Sequence, residues 1–368
     1  MSSAKNQQKS QQKQGNGYRY DRIEYDVKKR IGSGTTSEVF SGNIGNRQVA
    51  VRRSKDDHSA EKEIKALSEV KYSSEIIAFF ASERVGPHML IAMEHHETSL
   101  YELVKNEGVK NGMRVKILDV LRDASKGLGA LHSYQIAHRN LKPTHVLVSK
   151  RREKLVVVIS NLGSCEMETG EGLPRVIQQD LDRFAQLIIF SLSDSGKKAL
   201  DWNSFIGNKE TIVEGLGNES DKHLAENLIT KLTHQHPQYR LPSEFIHQHP
   251  LFWKDHLKLD VRLCPLLKSL AKAAYAINDV YELIRLIRNK KAHYHDDVHK
   301  GVATVGALPT GFLTYFTEKF PKLLTHTFAA TQYMAHNPSF EKFFSPQMSR
   351  FASATDQLSN WKAIGKQF

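Results

Sequence analysis

The sequence predicts an α+β chain built in three stretches: a small β-rich lobe, a larger helical lobe and an all-α C-terminal part. Three observations predict it. Residues 18–99 carry short apolar runs such as Val49-Ala50-Val51, with one helical stretch over Ala60–Val70 where Ile64, Leu67 and Val70 recur. Residues 100–253 turn mainly helical, and Met113–Leu131 suits one long helix. Beyond Lys254, Asp279 followed by Glu282 fits a capping box, and Val280, Leu283, Ile284 and Ile287 form an apolar stripe that ends near Asn289.

Within the first lobe, Ile31-Gly32-Ser33-Gly34-Thr35-Thr36-Ser37-Glu38-Val39 is a Gly-rich stretch of the kind that lets backbone approach phosphate groups. By itself it is equally a hairpin turn. In the second lobe Val146–Val148 and Leu155–Ile159 read as a strand pair turned at Arg151-Arg152-Glu153. Residues 1–17, rich in Gln, Lys, Ser, Asn and Gly, cannot bury apolar surface and are expected to be a disordered tail. The domain reading is therefore 18–253, then 254–345, then a polar tail over 346–368. Polar character already begins at Ser345, and loose packing is expected from there on.

At 368 residues, with 40% hydrophobic and 25% charged content, the chain can bury a large core. The net charge of +12 suits a polyanion such as RNA, an acidic membrane surface, or a basic protein with neither partner. Two cysteines, Cys165 and Cys264, form no disulfide framework and point to a reducing compartment. No run reaches the roughly 18 apolar residues of a membrane span, and the N-terminus lacks the apolar core of a signal peptide. A cytoplasmic protein, or the cytosolic part of a larger one, is expected.

Residues 138–145 read His-Arg-Asn-Leu-Lys-Pro-Thr-His. The arrangement resembles the catalytic loop of protein kinases, H-R-D-L-x-x-x-N, with Asn140 in the place of the base and His145 in the place of a metal ligand. The Gly-rich stretch keeps Gly32 and Gly34 but has Ser37 as its third position. Val49-Ala50-Val51-Arg52 resembles V-A-I-K with Arg52 for the phosphate-binding Lys, and Glu63 stands where that Lys would find its helix partner. A structural Arg52–Glu63 ion pair is expected, because the planar Arg fork does not replace the ammonium of Lys. Asn161-Leu162-Gly163 stands for D-F-G, and Asn161 is a poor ligand for a hard cation. No Ala-Pro-Glu occurs, and the next helical pattern is expected to start near Asp180, leaving almost no activation segment. Phosphate anchor, base and both metal ligands are changed together, so phosphotransfer is expected to be absent. ATP or ADP can still bind without it, and the lobe can equally be a scaffold alone.

A second polar cluster, Arg288-Asn289-Lys290-Lys291-Ala292-His293-Tyr294, follows the apolar stripe. Cations at a helix C-terminus complement the dipole, which accounts for Lys290 and Lys291 and leaves Asn289 and His293-Tyr294 without a structural reason. His suits acid–base work near neutral pH, and Arg suits phosphate. This cluster, a His-Pro-Leu-Phe-Trp run at 249–253 and Phe320-Pro321-Lys322-Leu323-Leu324-Thr325-His326-Thr327 together resemble one family. It comprises the inositol-requiring-enzyme receptors and ribonuclease L, in which a bilobal protein-kinase-like fold precedes an all-α ribonuclease domain of the KEN type. The nearly absent activation segment resembles ribonuclease L.

The resemblance implies a metal-independent endoribonuclease, requiring no cofactor for cleavage, in which the RNA 2′-hydroxyl attacks the adjacent phosphate. A 2′,3′-cyclic phosphate and a 5′-hydroxyl are left. By resemblance His293 is the general acid, Tyr275 assists deprotonation of the 2′-hydroxyl, and Arg288 and Asn289 hold the scissile phosphate. His295 and His299 are expected at the surface. The partners implied are RNA and a second copy of the chain, as a homodimer or higher oligomer. One departure from the receptors is the short distance from Trp253 to Tyr275, twenty-two positions. It favours the alternative of a catalytically dead RNA-binding scaffold or decoy.

Overall fold

The computed structural model describes residues 23–34, 36–55, 57–167, 173–193, 216, 219–262 and 310–319, together with 324, 325, 327, 328, 343 and 345. Two compact units emerge, one comprising residues up to Lys55 with Phe80–His95, the other Asp56–Phe79 with everything from His96. The N-terminal tail of 1–17 and the C-terminal tail of 346–368 lie outside the described residues.

The first unit is a sheet of β1 (Ile23–Ser33), β2 (Ser37–Ile44), β3 (Arg47–Ser54), β4 (Phe79–Val85) and β5 (His88–Glu94). Its strand order is β1-β2-β3-β5-β4. Alternation places Val49 and Val51 on one face, fully buried, where they join Ile23, Leu90 and Ala92. The expected short strand at 49–51 is thus the centre of a longer one.

The second unit opens with α1 (Asp57–Glu69), which confirms the helical spacing of Ile64 and Leu67. A two-residue strand β6 (Thr98–Ser99) leads into α2 (Leu100–Lys105) and α3 (Glu107–Met113). The long helix expected over Met113–Leu131 forms, starting four residues later than expected. α3 ends at Met113, Arg114 takes a left-handed conformation with φ of 50°, and α4 runs Ile117–Ser133. Apolar spacing does not register a cap made by backbone conformation, and Arg is an unusual residue for one. On α4, Gly127 and Gly129 face incoming backbone: a Cβ would sit 2.8 Å from the Glu75 carbonyl at the first and 3.1 Å from the Glu244 Cα at the second. Two glycines in a helix interior cost about 1 kcal/mol each relative to Ala, and close packing is what they permit.

Strands β7 (Val146–Arg151) and β8 (Lys154–Ile159) form the expected hairpin, longer than expected and with a tighter turn at Arg152-Glu153. Helix α5 spans Leu173–Leu192. It starts seven residues before the expected Asp180, because Pro174 is compatible with a first helical turn. Asp180 consequently sits inside the helix, on the face that also buries Phe184 and Leu187.

Helix α6 (Glu219–Leu232), the short α7 (Ser243–Ile246), α8 (Asp255–Arg262) and α9 (Thr310–Lys319) complete the described elements. The His-Pro-Leu-Phe-Trp run is buried where they converge. His249 Nδ1 accepts from the Leu251 amide at 3.3 Å, and its Nε2 donates to Asn227 Oδ1 at 3.1 Å. Phe328 meets the His249 ring edge-on at 4.9 Å and the Trp253 ring at 6.2 Å between centroids. Lys258 pairs with Asp221 at 2.7 Å, and Ser345, expected in a loose stretch, donates its amide to Gln248 Oε1 at 2.8 Å. Among the described residues, no helix is long and apolar enough to cross a membrane.

Candidate functional site

The loop His138–His145 hangs from one carboxylate. Asp180 is completely buried on α5. Its Oδ2 accepts from the His138 amide at 2.6 Å and stands 3.1 Å from His132 Nε2, while Oδ1 accepts from the Arg139 amide at 2.8 Å. A buried carboxylate without donors would be strongly destabilising, so these bonds fix both helix and loop. His132 in turn reaches Ser243 Oγ on α7 at 2.7 Å. Arg139 sits at φ of 63°, a left-handed turn of the chain held by the same carboxylate.

His138 is buried, and desolvation is the dominant influence holding its pKa below the ordinary histidine value, outweighing the opposing pull of Asp180. A neutral ring near pH 7 assigns its protons. Nε2–H donates to the Ser160 carbonyl at 3.0 Å, and Nδ1 accepts from the Asn140 amide at 3.2 Å.

The positions that would hold a kinase base and two metal ligands are linked to one another. His145, only 5% exposed, has Nδ1 at 2.8 Å from the Asn140 carbonyl, to which it donates. Its Nε2 lies 2.8 Å from Asn161 Nδ2. Asn161 is left-handed at φ of 67°, and the following Leu162 amide donates to Glu63 at 3.0 Å. Ser59 donates to the Gly163 carbonyl at 3.2 Å. Asn140, His145 and Asn161 carry no anionic oxygen, and the His145 ring nitrogen nearest Asn161 is already engaged. A hard cation such as Mg²⁺ wants carboxylate and water oxygens, so this set does not fit it.

In the sheet unit, Gly32 pairs with Val39, and the Gly34 amide donates to the Ser37 carbonyl at 2.7 Å. A Cβ at Gly32 or Gly34 would meet its nearest neighbours at 3.5 and 3.6 Å, ordinary contact, so packing does not demand glycine at either position. Arg52 is buried on β3 at 6% exposure, and Glu63 is fully buried on α1 in the other unit. The expected Arg52–Glu63 pair stays an expectation. Tyr275, Arg288, Asn289 and His293 lie outside the described residues, as do the capping box at Asp279 and the histidines His295 and His299.

Asp180 is the residue that sequence reading passed over as a mere helix start. The available signal was a lone acidic residue on an apolar stripe with Leu181, Phe184 and Leu187.

Comparison with known proteins covers both halves of the chain. Residues 25–177 match the protein kinase domain, and residues 216–344 match the ribonuclease 2-5A domain. The order of a kinase-type domain followed by a ribonuclease-type domain defines the class. The serine/threonine-protein kinase/endoribonuclease ire-1 of Caenorhabditis elegans is 27% identical over 83% of this chain and 39% of its own length. The endoribonuclease IRE1 of Oryza sativa is 26% identical over 86% and 44%, and human IRE2 is 26% identical over 88% and 43%. The chain therefore belongs to the inositol-requiring-enzyme and ribonuclease L family. It spans less than half the length of these relatives.

Proposed function

We propose that the chain is an endoribonuclease whose kinase-like part regulates assembly and does not transfer phosphate. The observation that carries this reading is that Asn140, His145 and Asn161 supply no carboxylate where phosphotransfer needs anions, with His145 Nε2 engaged by Asn161, in a chain that also matches a ribonuclease domain. The relatives bear the name kinase/endoribonuclease, which supports the ribonuclease half of the reading.

In the proposed mechanism no metal takes part in cleavage. His293 protonates the leaving 5′-oxygen, and Tyr275 draws the proton from the 2′-hydroxyl that attacks phosphorus. Arg288 and Asn289 bind the phosphate and stabilise its developing charge. A free tyrosine titrates near pH 10, so Arg288 would also have to favour the phenolate. The product ends are a 2′,3′-cyclic phosphate and a 5′-hydroxyl. Two copies of the chain assemble to reach full activity, and ATP or ADP can occupy the kinase-like part as a ligand only.

The test is RNA cleavage in EDTA across a range of protein concentration. Cyclic phosphate ends should form without Mg²⁺, activity should rise more steeply than protein concentration, and His293→Ala should abolish it. Equal inertness of wild type and His293→Ala would sink the enzyme and favour the RNA-binding scaffold. The shortened Trp253–Tyr275 spacing is the feature that supports that second reading.

A further inference from the structure

The β7–β8 hairpin has two features that a turn built only for folding would avoid. Its turn residues Arg152 and Glu153 have φ of 47° and 65°. Two-residue turns with both φ positive favour Asn-Gly, because larger side chains crowd their own backbone there. The last ladder pair then places Arg151 directly opposite Lys154. Like charges facing each other across a ladder repel. The tip thus gives up local stability on two counts, and cations figure in both: Arg152 at a strained turn position and Arg151 facing Lys154.

Lys150, Arg151, Arg152 and Lys154 supply four cations within five consecutive residues. Arg151, Arg152 and Lys154 are exposed and Lys150 is half-buried. Two carboxylates stand nearby. Glu153, with its side chain 93% exposed, approaches Lys150 Nζ at 3.7 Å, and Glu97 accepts from the Lys150 amide at 3.3 Å. Residues 150–154 themselves carry four cations and one carboxylate, Glu153. The ladder continues without a break from Arg151↔Lys154 to Val146↔Ile159, where Val146, Val148, Val157 and Ile159 are buried. The cations are therefore carried on a rigid arm.

We infer that this tip is an accessory docking point for the phosphodiester backbone of RNA, an inference that rests on the reading of the chain as a ribonuclease. Guanidinium forks match phosphate oxygens, and backbone contacts of this kind bind without regard to base sequence. A membrane surface is the poorer match, because Lys150–Lys154 contains no aromatic or aliphatic side chain to enter a headgroup layer.

The test uses the full chain with His293→Ala, so that a fluorescent single-stranded RNA is bound and not cut. Anisotropy titrations over a salt series compare it with the same chain carrying Arg151→Gln, Arg152→Gln and Lys154→Gln. Each lost single-strand phosphate contact flattens the log–log salt dependence by about 0.7, so the triple change should flatten it by about 2 and weaken binding about tenfold or more at low salt. If the triple variant misfolds by circular dichroism, Arg152→Gln alone, at an exposed turn position, should give about one third of the change in slope. Identical slopes and affinities would overturn the inference and leave the tip as solvated surface. So would unchanged RNA binding together with lost binding to phosphatidylserine-containing vesicles. A chain that still has His293 but cuts no RNA, while the triple change weakens RNA binding, would keep the docking point and remove the ribonuclease reading. Cleavage by the wild type with unchanged RNA binding by the triple variant would do the reverse.

Discussion

Two buried histidines hold the helical unit together, in different ways. Around His138 the organising group is a charge, since Asp180 gathers two backbone amides and approaches His132. Around His249 it is area, since Phe328 and Trp253 stack edge-on and the polar partners are uncharged, the Asn227 side chain and the Leu251 amide. The first arrangement dictates backbone shape and the second dictates packing. The shape of the His138–His145 loop comes from Asp180 and does not depend on which side chain stands at position 140. The joint at His249 instead ties Phe328, Phe343 and Ser345 to the His-Pro-Leu-Phe-Trp run and the adjoining Gln248.

The largest effect should come from the charge. Asp180→Ala strands the buried His138 amide and the Arg139 amide, and should lower unfolding free energy in urea by about 3–5 kcal/mol. A cost below 1 kcal/mol would mean that the loop holds its shape without the carboxylate. Phe328→Ala should cost somewhat less, about 3 kcal/mol, from lost burial and the cavity left among His249 and Trp253. If it costs nothing, the joint is not a packing contact.

A pH titration probes both regions at once. Burial lowers the pKa of His138 and, more strongly, that of His249, where the charges of Lys231 and Lys258 add to desolvation. The unfolded chain therefore takes up protons first, beginning near the ordinary histidine value of about 6.5. Stability conferred by the neutral rings is complete above that pH and is lost as pH falls through it. The slope approaches about 1.4 kcal/mol per pH unit for each ring until its folded-state pKa is reached. Unfolding free energy that stays level from about pH 7 to pH 5 would show that neither ring is held neutral.

The smallest effect concerns the metal. Wild type should show no rise in melting temperature with millimolar Mg²⁺. Replacing His145→Asn together with Asn161→Asp puts an anion back and frees the ring's place, and saturating Mg²⁺ should then stabilise the chain by about 1 kcal/mol. An equal shift in wild type would show that the set without a carboxylate binds the ion after all.

Much of this was legible in the sequence. The order of β-rich and helical stretches follows from spacing alone, and the altered motif positions could be read directly at Asn140, His145 and Asn161. What could not be read was where those side chains go. Nothing in the spacing of 138–161 says that His145 bonds to both the Asn140 carbonyl and the Asn161 amide, because that pairing depends on the hairpin folding back. The apolar stripe around Asp180 marked it for burial, but its partners could not be read, because they lie about forty residues upstream. The late start of α4 escaped because the left-handed cap at Arg114 uses a residue that rarely makes one. The proposed ribonuclease residues Tyr275, Arg288, Asn289 and His293 rest on the sequence resemblance alone.

Both hydrogen bonds of Asn140 use its main chain, the amide toward His138 and the carbonyl toward His145. Its side chain contributes nothing to holding the loop. The position is therefore a place where identity can drift without a folding penalty once phosphotransfer is no longer selected. Substitutions there should be nearly silent in stability screens, whereas the same screens should reject most changes at His138 and Asp180.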